Sequence, residues 1–354
     1  MPALTYAFSL LPGLLGLVSL WLGGAWLLAT PLLVFGLVPS LELFMKGTTH
    51  NADEQAEASR RADPWFDRLL VATVPLQIAI VLSLLIQVAW GGLGGLEVLG
   101  AVATAAMGCG AYGINVAHEL GHRRTRRERI LAKVLLLTTL YMHFFIEHNR
   151  GHHARVATAE DPASSRRGEW LYAFWLRSVT GGWMSAWRLE AARLNRRGQR
   201  VLSWHNEMLR YQVIQAVVLG LVLAVFGPLA TLAFMGAALA GALQLETVNY
   251  IEHYGLSRGR APDGRYERVR PEHSWNTNLP VGRALLFDLT RHADHHAHPA
   301  RPYTVLRHFD RALQLPTGYP GMMVLASCPP LFIAVMDRWL VRERSRVVAE
   351  AVAA

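Results

Sequence analysis

Residues 96–122 read LEVLGAVATAAMGCGAYGINVAHELGH. From Leu96 to Ala117 the run carries no charge after Glu97, and about 20 such residues suffice to cross a bilayer as a helix. The run then ends in His118-Glu119-Leu120-Gly121-His122, and the basic stretch Arg123-Arg124-Thr125-Arg126-Arg127 follows. A membrane-crossing helix therefore delivers two histidines to the membrane surface. Residues four apart share a helix face, so His118 and His122 can address one metal ion.

Outward from this segment the pattern repeats. Apolar stretches long enough to cross lie at about 6–22, 24–45, 68–90, 96–117, 211–226 and 228–250. They pair into three hairpins through short turns at Gly23-Gly24, Gly91 to Gly95 and Gly227-Pro228, none of which holds Lys or Arg. The basic residues gather in the loops 46–67, 123–210 and 258–346. The positive-inside rule then places both termini and every long loop in the cytoplasm. The expected fold is all-α: a single membrane domain over 1–354, a six-transmembrane-helix bundle with a cytoplasmic histidine-rich catalytic cap from segments 118–210 and 251–340. Composition agrees, with 52% hydrophobic residues and a mean hydropathy of +0.21, too apolar for an ordinary soluble domain.

Two apolar segments break the alternation. Ile130 to Ile146 has cytoplasmic flanks on both sides and is expected to dip into or lie along the inner leaflet. The segment 322–336, interrupted by Pro329-Pro330, is expected to behave similarly. The Ala-rich end from about residue 344 reads as a frayed helix or tail. No cleavable signal peptide is expected, because no basic region precedes the first apolar run.

The two cysteines, Cys109 and Cys328, form no CxxC pair, so no disulfide framework, thiolate metal site or fused rubredoxin-type domain is expected. Histidine is the abundant ligand type, with 15 residues. Besides the first pair, His148, His152 and His153 lie in EHNRGHH, His253 ends the sixth span, and His292, His295 and His296 lie in HADHH. On an α-helix His148 and His152 share a face, while His153 points about 100° away toward a second ion. His143, His205, His298 and His308 stand alone and read as ordinary interfacial residues. Nine clustered imidazoles exceed what one tetrahedral zinc uses. They suit two ions of borderline hardness with positions left open for oxygen. The set brings no negative charge, so Glu119, Glu147, Glu252 and Asp294, beside the histidines, are expected to orient ring N–H groups, with Asp161 a weaker candidate.

At these residues the chain resembles the bacterial integral-membrane alkane 1-monooxygenases, within the membrane fatty acid desaturase/hydroxylase superfamily. The likeness rests on HELGH at 118–122, EHNRGHH at 147–153, NYIEHYGL at 249–256 and RHADHHAHPARPY at 291–303, and extends over roughly 30–340. NYIEHYGL is the sharpest marker against desaturases. Where the family usually reads LQRHSDHH, this chain has Leu289-Thr290-Arg291-His292-Ala293-Asp294-His295-His296, which spares every ligand.

The resemblance implies that His118, His122, His148, His152, His153, His253, His292, His295 and His296 bind two non-haem irons, with His273 a possible supporting residue. It implies terminal hydroxylation of medium- or long-chain alkanes by O2, without flavin or haem. Electrons would come from a separate rubredoxin and its NADH-dependent reductase. The implied location is the bacterial cytoplasmic membrane, with the active site on the cytoplasmic side and no nucleic-acid partner. An alkane dissolved in the bilayer would enter between the spans. The small residues Ala103, Ala105, Ala106, Gly108, Gly110 and Gly113 either leave room for it or serve close helix packing. Phe35, between Pro31 and Pro39, is the candidate stop that limits chain length.

Other readings keep part of these observations. A desaturase, or a hydroxylase of fatty acyl or aryl-methyl groups, keeps the metal and changes the substrate. An intramembrane zinc protease would use HELGH with Glu119 as general base, and leaves seven histidines unexplained. A metal transporter would place its ligands near the membrane midplane rather than at span ends.

Overall fold

The computed structural model describes residues 1–353, with side chains described through Glu350. Its principal helices are α1 (Ala3–Leu22), α2 (Gly24–Glu42), α3 (Pro64–Trp90), α4 (Gly95–His122), α5 (Arg126–Leu137), α6 (Leu171–Asn195), α7 (Glu207–His253), α8 (His292–Ala297) and α9 (Pro329–Ala353). Among the described residues, α1 to α4 and α7 are long and apolar enough to cross a membrane.

Helix α7 has 47 residues, about 70 Å at 1.5 Å per residue. That is twice the ~30 Å hydrocarbon core. It is two helices joined across a kink at Gly227, whose φ of 77° and ψ of 177° are not helical. Glycine sits at this break and between α1 and α2, where Gly23 and Gly24 have φ of 67° and 53°, a region that only glycine enters without strain. Glu97 fastens this end: its two oxygens accept from the backbone N–H groups of Gly24 at 2.9 Å and Gly94 at 2.8 Å.

Only 17% of the most apolar window of α2 and 22% of that of α7 is buried by protein, against 72% for α4. Apolar surface left open on such a scale is stable against lipid and not against water.

The chain divides into two compact units, each assembled from three segments. The first comprises Met1–Val34, Asp67–Gly151 and Gly182–Leu245. Here α4 is closely packed. A Cβ on Gly113 would lie 2.2 Å from Thr139 Cγ2, one on Gly108 2.6 Å from Gln77 Oε1, and one on Gly110 2.9 Å from Gln244 Oε1. At these positions the small residues serve packing. Tyr112 accepts from Gly13 N at 2.9 Å and donates to the Ser9 carbonyl at 2.6 Å.

The second unit comprises Phe35–Phe66, His152–Gly181 and Glu246–Ala354. Its core is aromatic, with Phe174, Tyr250, Tyr254, Trp275 and Phe332 all buried. Tyr250 donates to the Glu169 carbonyl at 2.6 Å, and Trp275 Nε1 to the Tyr254 carbonyl at 3.0 Å. A two-residue parallel pairing joins Trp275 to Leu313 and Asn276 to Gln314. The tyrosines of NYIEHYGL thus anchor the end of α7 that carries Glu252 and His253.

Segment 130–146 forms no span. Helix α5 has 12 residues, about 18 Å. It gives way to a turn with Leu140 at φ 50°, then to the short helix Phe144–Glu147. The helix Tyr319–Ala326 stops before Pro329, which opens α9. The Ala-rich end, expected as a frayed helix or a tail, is helical to Ala353 as the end of α9. Arg346 pairs with Glu343 at 2.9 Å and Glu350 at 2.8 Å, the i,i+3 and i,i+4 spacings that support a helix.

Candidate metal centre

In the first unit, the helical turn Ala117–His122 brings His118 and His122 to ring centroids 5.2 Å apart. His148 joins them: its ring lies 4.2 Å from that of His118, and its Nε2 is 3.1 Å from His122 Nε2. These three offer ring nitrogens within 4.8 Å of one another. Glu119 accepts from Arg123 Nε at 2.9 Å, and Glu147 from Ser185 Oγ at 3.1 Å. Arg150 pairs with the buried Glu190 and lies 2.6 Å from Glu207 Oε2. Burial opposes charge on Glu190. Arg193, the Glu207 backbone N–H and Arg150 more than offset it, and hold its carboxyl below the usual range.

In the second unit, His152, His253, His292 and His296 bring four ring nitrogens within 4.8 Å of one another, and all four residues are buried. His152 Nε2 lies 3.2 Å from His296 Nε2. A second pair forms between His153 Nε2 and His295 Nε2, also at 3.2 Å.

The division of His152 from His148 corrects the α-helical expectation. Residues His148–His152 form a π-turn, with hydrogen bonds one residue longer than in an α-helix. The wider winding moves the return to the His148 face from position 152 toward 153. His152 leaves that set and joins the four-imidazole group.

In the second unit Asp161 and Glu252 lie against ligand-type histidines as expected, and their own partners, Ser164 and Tyr319, were not singled out in the sequence. His152 Nδ1 donates to Asp161 Oδ2 at 2.9 Å, and Ser164 Oγ donates to the same oxygen at 2.6 Å. Burial opposes the charge of Asp161, but His152 and Ser164 keep its carboxyl below the ordinary range. Tyr319 donates to Glu252 Oε1, whose other oxygen lies 3.0 Å from His292 Nε2.

The remaining candidates are not among the clustered imidazoles. Asp294 accepts from His298 Nδ1 at 2.7 Å, from Arg301 Nη1 at 2.6 Å and from the Arg307 backbone at 2.7 Å. It braces the loop after α8. His273 Nδ1 accepts from the Arg270 backbone at 3.0 Å, and its Nε2 lies 3.5 Å from Glu267 Oε1. His308 pairs with Asn278 and Asp310, and His205 is exposed. His143 is buried, which pushes its pKa down to about 4. Phe35 is half-buried in the π-turn Leu33–Leu37.

The donor sets fit a metal. Two nitrogens about 2.1 Å from one ion lie about 3.0–3.4 Å apart at adjacent coordination positions. The three Nε2–Nε2 separations of 3.1, 3.2 and 3.2 Å match. Asp161 holds the proton of His152 on Nδ1 and leaves the Nε2 lone pair for an ion. His296 Nδ1 is buried without a hydrogen-bond partner.

The fatty acid desaturase family model matches residues 95–323, which places these histidines in the membrane desaturase/hydroxylase class. The chain is 43% identical over 318 residues to alkane 1-monooxygenase 2 of Pseudomonas aeruginosa, covering 88% of this chain and 83% of that protein. It is 42% identical over 307 residues to an alkane 1-monooxygenase of Ectopseudomonas oleovorans, covering 86% and 75%. To alkane 1-monooxygenase 1 of Alcanivorax borkumensis it is 42% identical over 320 residues, covering 90% and 78%. The chain belongs to the alkane 1-monooxygenase family.

Proposed function

We propose that this protein is an integral-membrane alkane 1-monooxygenase converting a medium- or long-chain n-alkane to the 1-alkanol. The balance is R–CH3 + O2 + two electrons + two protons giving R–CH2OH + H2O. The observation that carries the reading is the convergence of buried imidazoles in a chain of this family.

The nine histidines, His118, His122, His148, His152, His153, His253, His292, His295 and His296, would hold two iron ions. The four-imidazole group of the second unit supplies the donors for one. Bound iron supplies the redox chemistry that O2 activation and attack on an unactivated methyl C–H bond require, which no side chain can provide. The chain's own part is to hold the imidazoles in their tautomers. Asp161 fixes His152 through Nδ1. Glu252, anchored by Tyr319, sets a carboxyl oxygen 3.0 Å from His292 Nε2. The aromatic core around Tyr250, Tyr254 and Trp275 excludes water behind His253.

The two halves of α7 would count as separate crossings, giving six spans. The basic loops would face the cytoplasm of a bacterial inner membrane. The substrate would arrive through the bilayer, with Phe35 limiting its length. Electrons would come from a separate rubredoxin and its NADH-dependent reductase. Rubredoxins are acidic, and basic stretches such as Arg193 to Arg200 would favour docking in a salt-dependent way. The protease reading has little support: Glu119, its general base, is held by Arg123 at 2.9 Å.

The test is metal analysis of protein purified in mild detergent, beside a His253→Ala variant. About two irons per chain, lost in the variant, are expected. One zinc unaffected by the substitution would overturn the reading. Product analysis with n-alkanes, fatty acyl chains and xylenes then separates a terminal alkanol from an alkene or an aryl-methyl alcohol.

A further inference from the structure

Helix α6 (Leu171–Asn195) is not among the candidate spans, yet its first four turns are amphipathic in the reverse sense to a helix facing water. Tyr172, Leu176 and Trp183 are exposed and lie within about 40° of one another at 100° per residue. Leu176 is 73% exposed. On the opposite side Phe174, Ser178 and Ser185 are buried. Ser178 donates to the buried Glu246, and Ser185 to the buried Glu147. Polar groups thus point inward and aromatic and aliphatic groups outward.

The flanks of the helix carry the residues of a membrane boundary. Trp170 precedes α6 and Trp204 follows it, both exposed. Arg188, Arg196, Arg197 and Arg200 are exposed at its C-terminal end, immediately before α7 begins at Glu207. Tryptophan and arginine favour the headgroup level, where indole rings sit between apolar and wet surroundings and guanidinium meets phosphate.

We propose that the outer face of α6 is seated in the acyl-chain–headgroup boundary of the bilayer, as an interfacial helix that does not cross it. The occupant of this face is membrane lipid, selected by the apolar stripe and by the arginines that complement lipid phosphate. The inference rests on the membrane reading of the chain and moves α6 out of the aqueous cap, where its loop charges alone had assigned it. Its inner face reaches Glu147, the neighbour of His148, so lipid contact on one side is linked to a ligand-bearing segment on the other.

The experiment uses the full-length chain in lipid nanodiscs, with Cys328→Ser as background and nitroxides at Leu176→Cys and Trp183→Cys. Leu221→Cys, exposed on α7, reports a span, and Asp310→Cys, an exposed loop position, reports water. Collision with O2, which partitions into lipid, is compared with collision with a water-soluble nickel chelate. At 176 and 183 oxygen should relax the label several-fold more than nickel, as at 221 and opposite to 310. Nickel dominance at 176 and 183 with oxygen dominance at 221 would overturn the placement of α6 alone. Nickel dominance at 221 as well would overturn the membrane reading with it.

Discussion

Tyr319 donates its phenolic hydroxyl to Glu252 Oε1 at 2.5 Å, and both residues are buried. The contact spans 67 residues of sequence and holds the carboxylate whose other oxygen lies 3.0 Å from His292. Partners of metal-ligating histidines typically change metal affinity by about 10–100-fold. Tyr319→Phe keeps the ring and removes the donor. It should weaken metal retention against a competing chelator by about 10-fold while the chain stays folded. Retention equal to the parent would remove Tyr319 from the support of the site.

Asp161→Asn tests the other support. The amide can present its oxygen to His152 Nδ1 but loses the charge that favours the imidazole's proton on that nitrogen. Metal content should fall, with about 10-fold or greater loss of affinity, and the spectrum of a cobalt-substituted protein should shift. An unchanged cobalt spectrum would count against the contact.

Glu190 predicts a pH effect. Its folded-state pKa is depressed by Arg193, the Glu207 backbone and Arg150. Its contribution to stability is therefore present above the unfolded value, about 4.3, and is lost as pH falls through the folded value. Glu190→Gln should destabilise the protein by about 2 kcal/mol near pH 7, given the partly exposed arginines. The gap from the parent should close below about pH 4. Thermal unfolding across that range measures it. A gap independent of pH would show that the charge is not the cause.

Two glycines separate packing from open surface. A Cβ on Gly113 meets Thr139 at 2.2 Å, whereas Gly220 has nothing within 4 Å. Gly113→Ala should destabilise by about 1–3 kcal/mol through overpacking. Gly220→Ala should be neutral or raise stability by up to about 1 kcal/mol through helix propensity. Equal melting temperatures for the two variants would contradict this account of α4.

Phe35→Ala should lengthen the accepted alkane, read by gas chromatography of the alkanols from a chain-length mixture. An unchanged product profile would sink the role of Phe35 as a stop.

The apolar spans and most of their ends were legible because the constraints are local, whereas α6 was not read from the sequence. About 20 apolar residues are needed per crossing, and the turns at Gly23-Gly24 and Gly227 are written in residues that tolerate positive φ. The break in α7 lies at the predicted turn. The histidine clusters were legible for the same reason, since His118 and His122 lie one helical turn apart.

The partition of the histidines was not legible. An α-helical count grouped His152 with His148, and a π-turn over His148–His152 separates them. Whether one hydrogen-bond ring widens by a residue depends on packing around the segment, which no local pattern encodes. Asp161 reaches His152 from nine residues away, and Asp294, beside three histidines in sequence, turns instead to Arg301, His298 and the Arg307 backbone. Adjacency in sequence does not decide which way a carboxylate points. The sequence by itself determined the apolar helices and the donors, through bilayer thickness and helical periodicity. The tertiary structure alone decided which donors meet and which acids hold them, because those contacts depend on where distant segments pack.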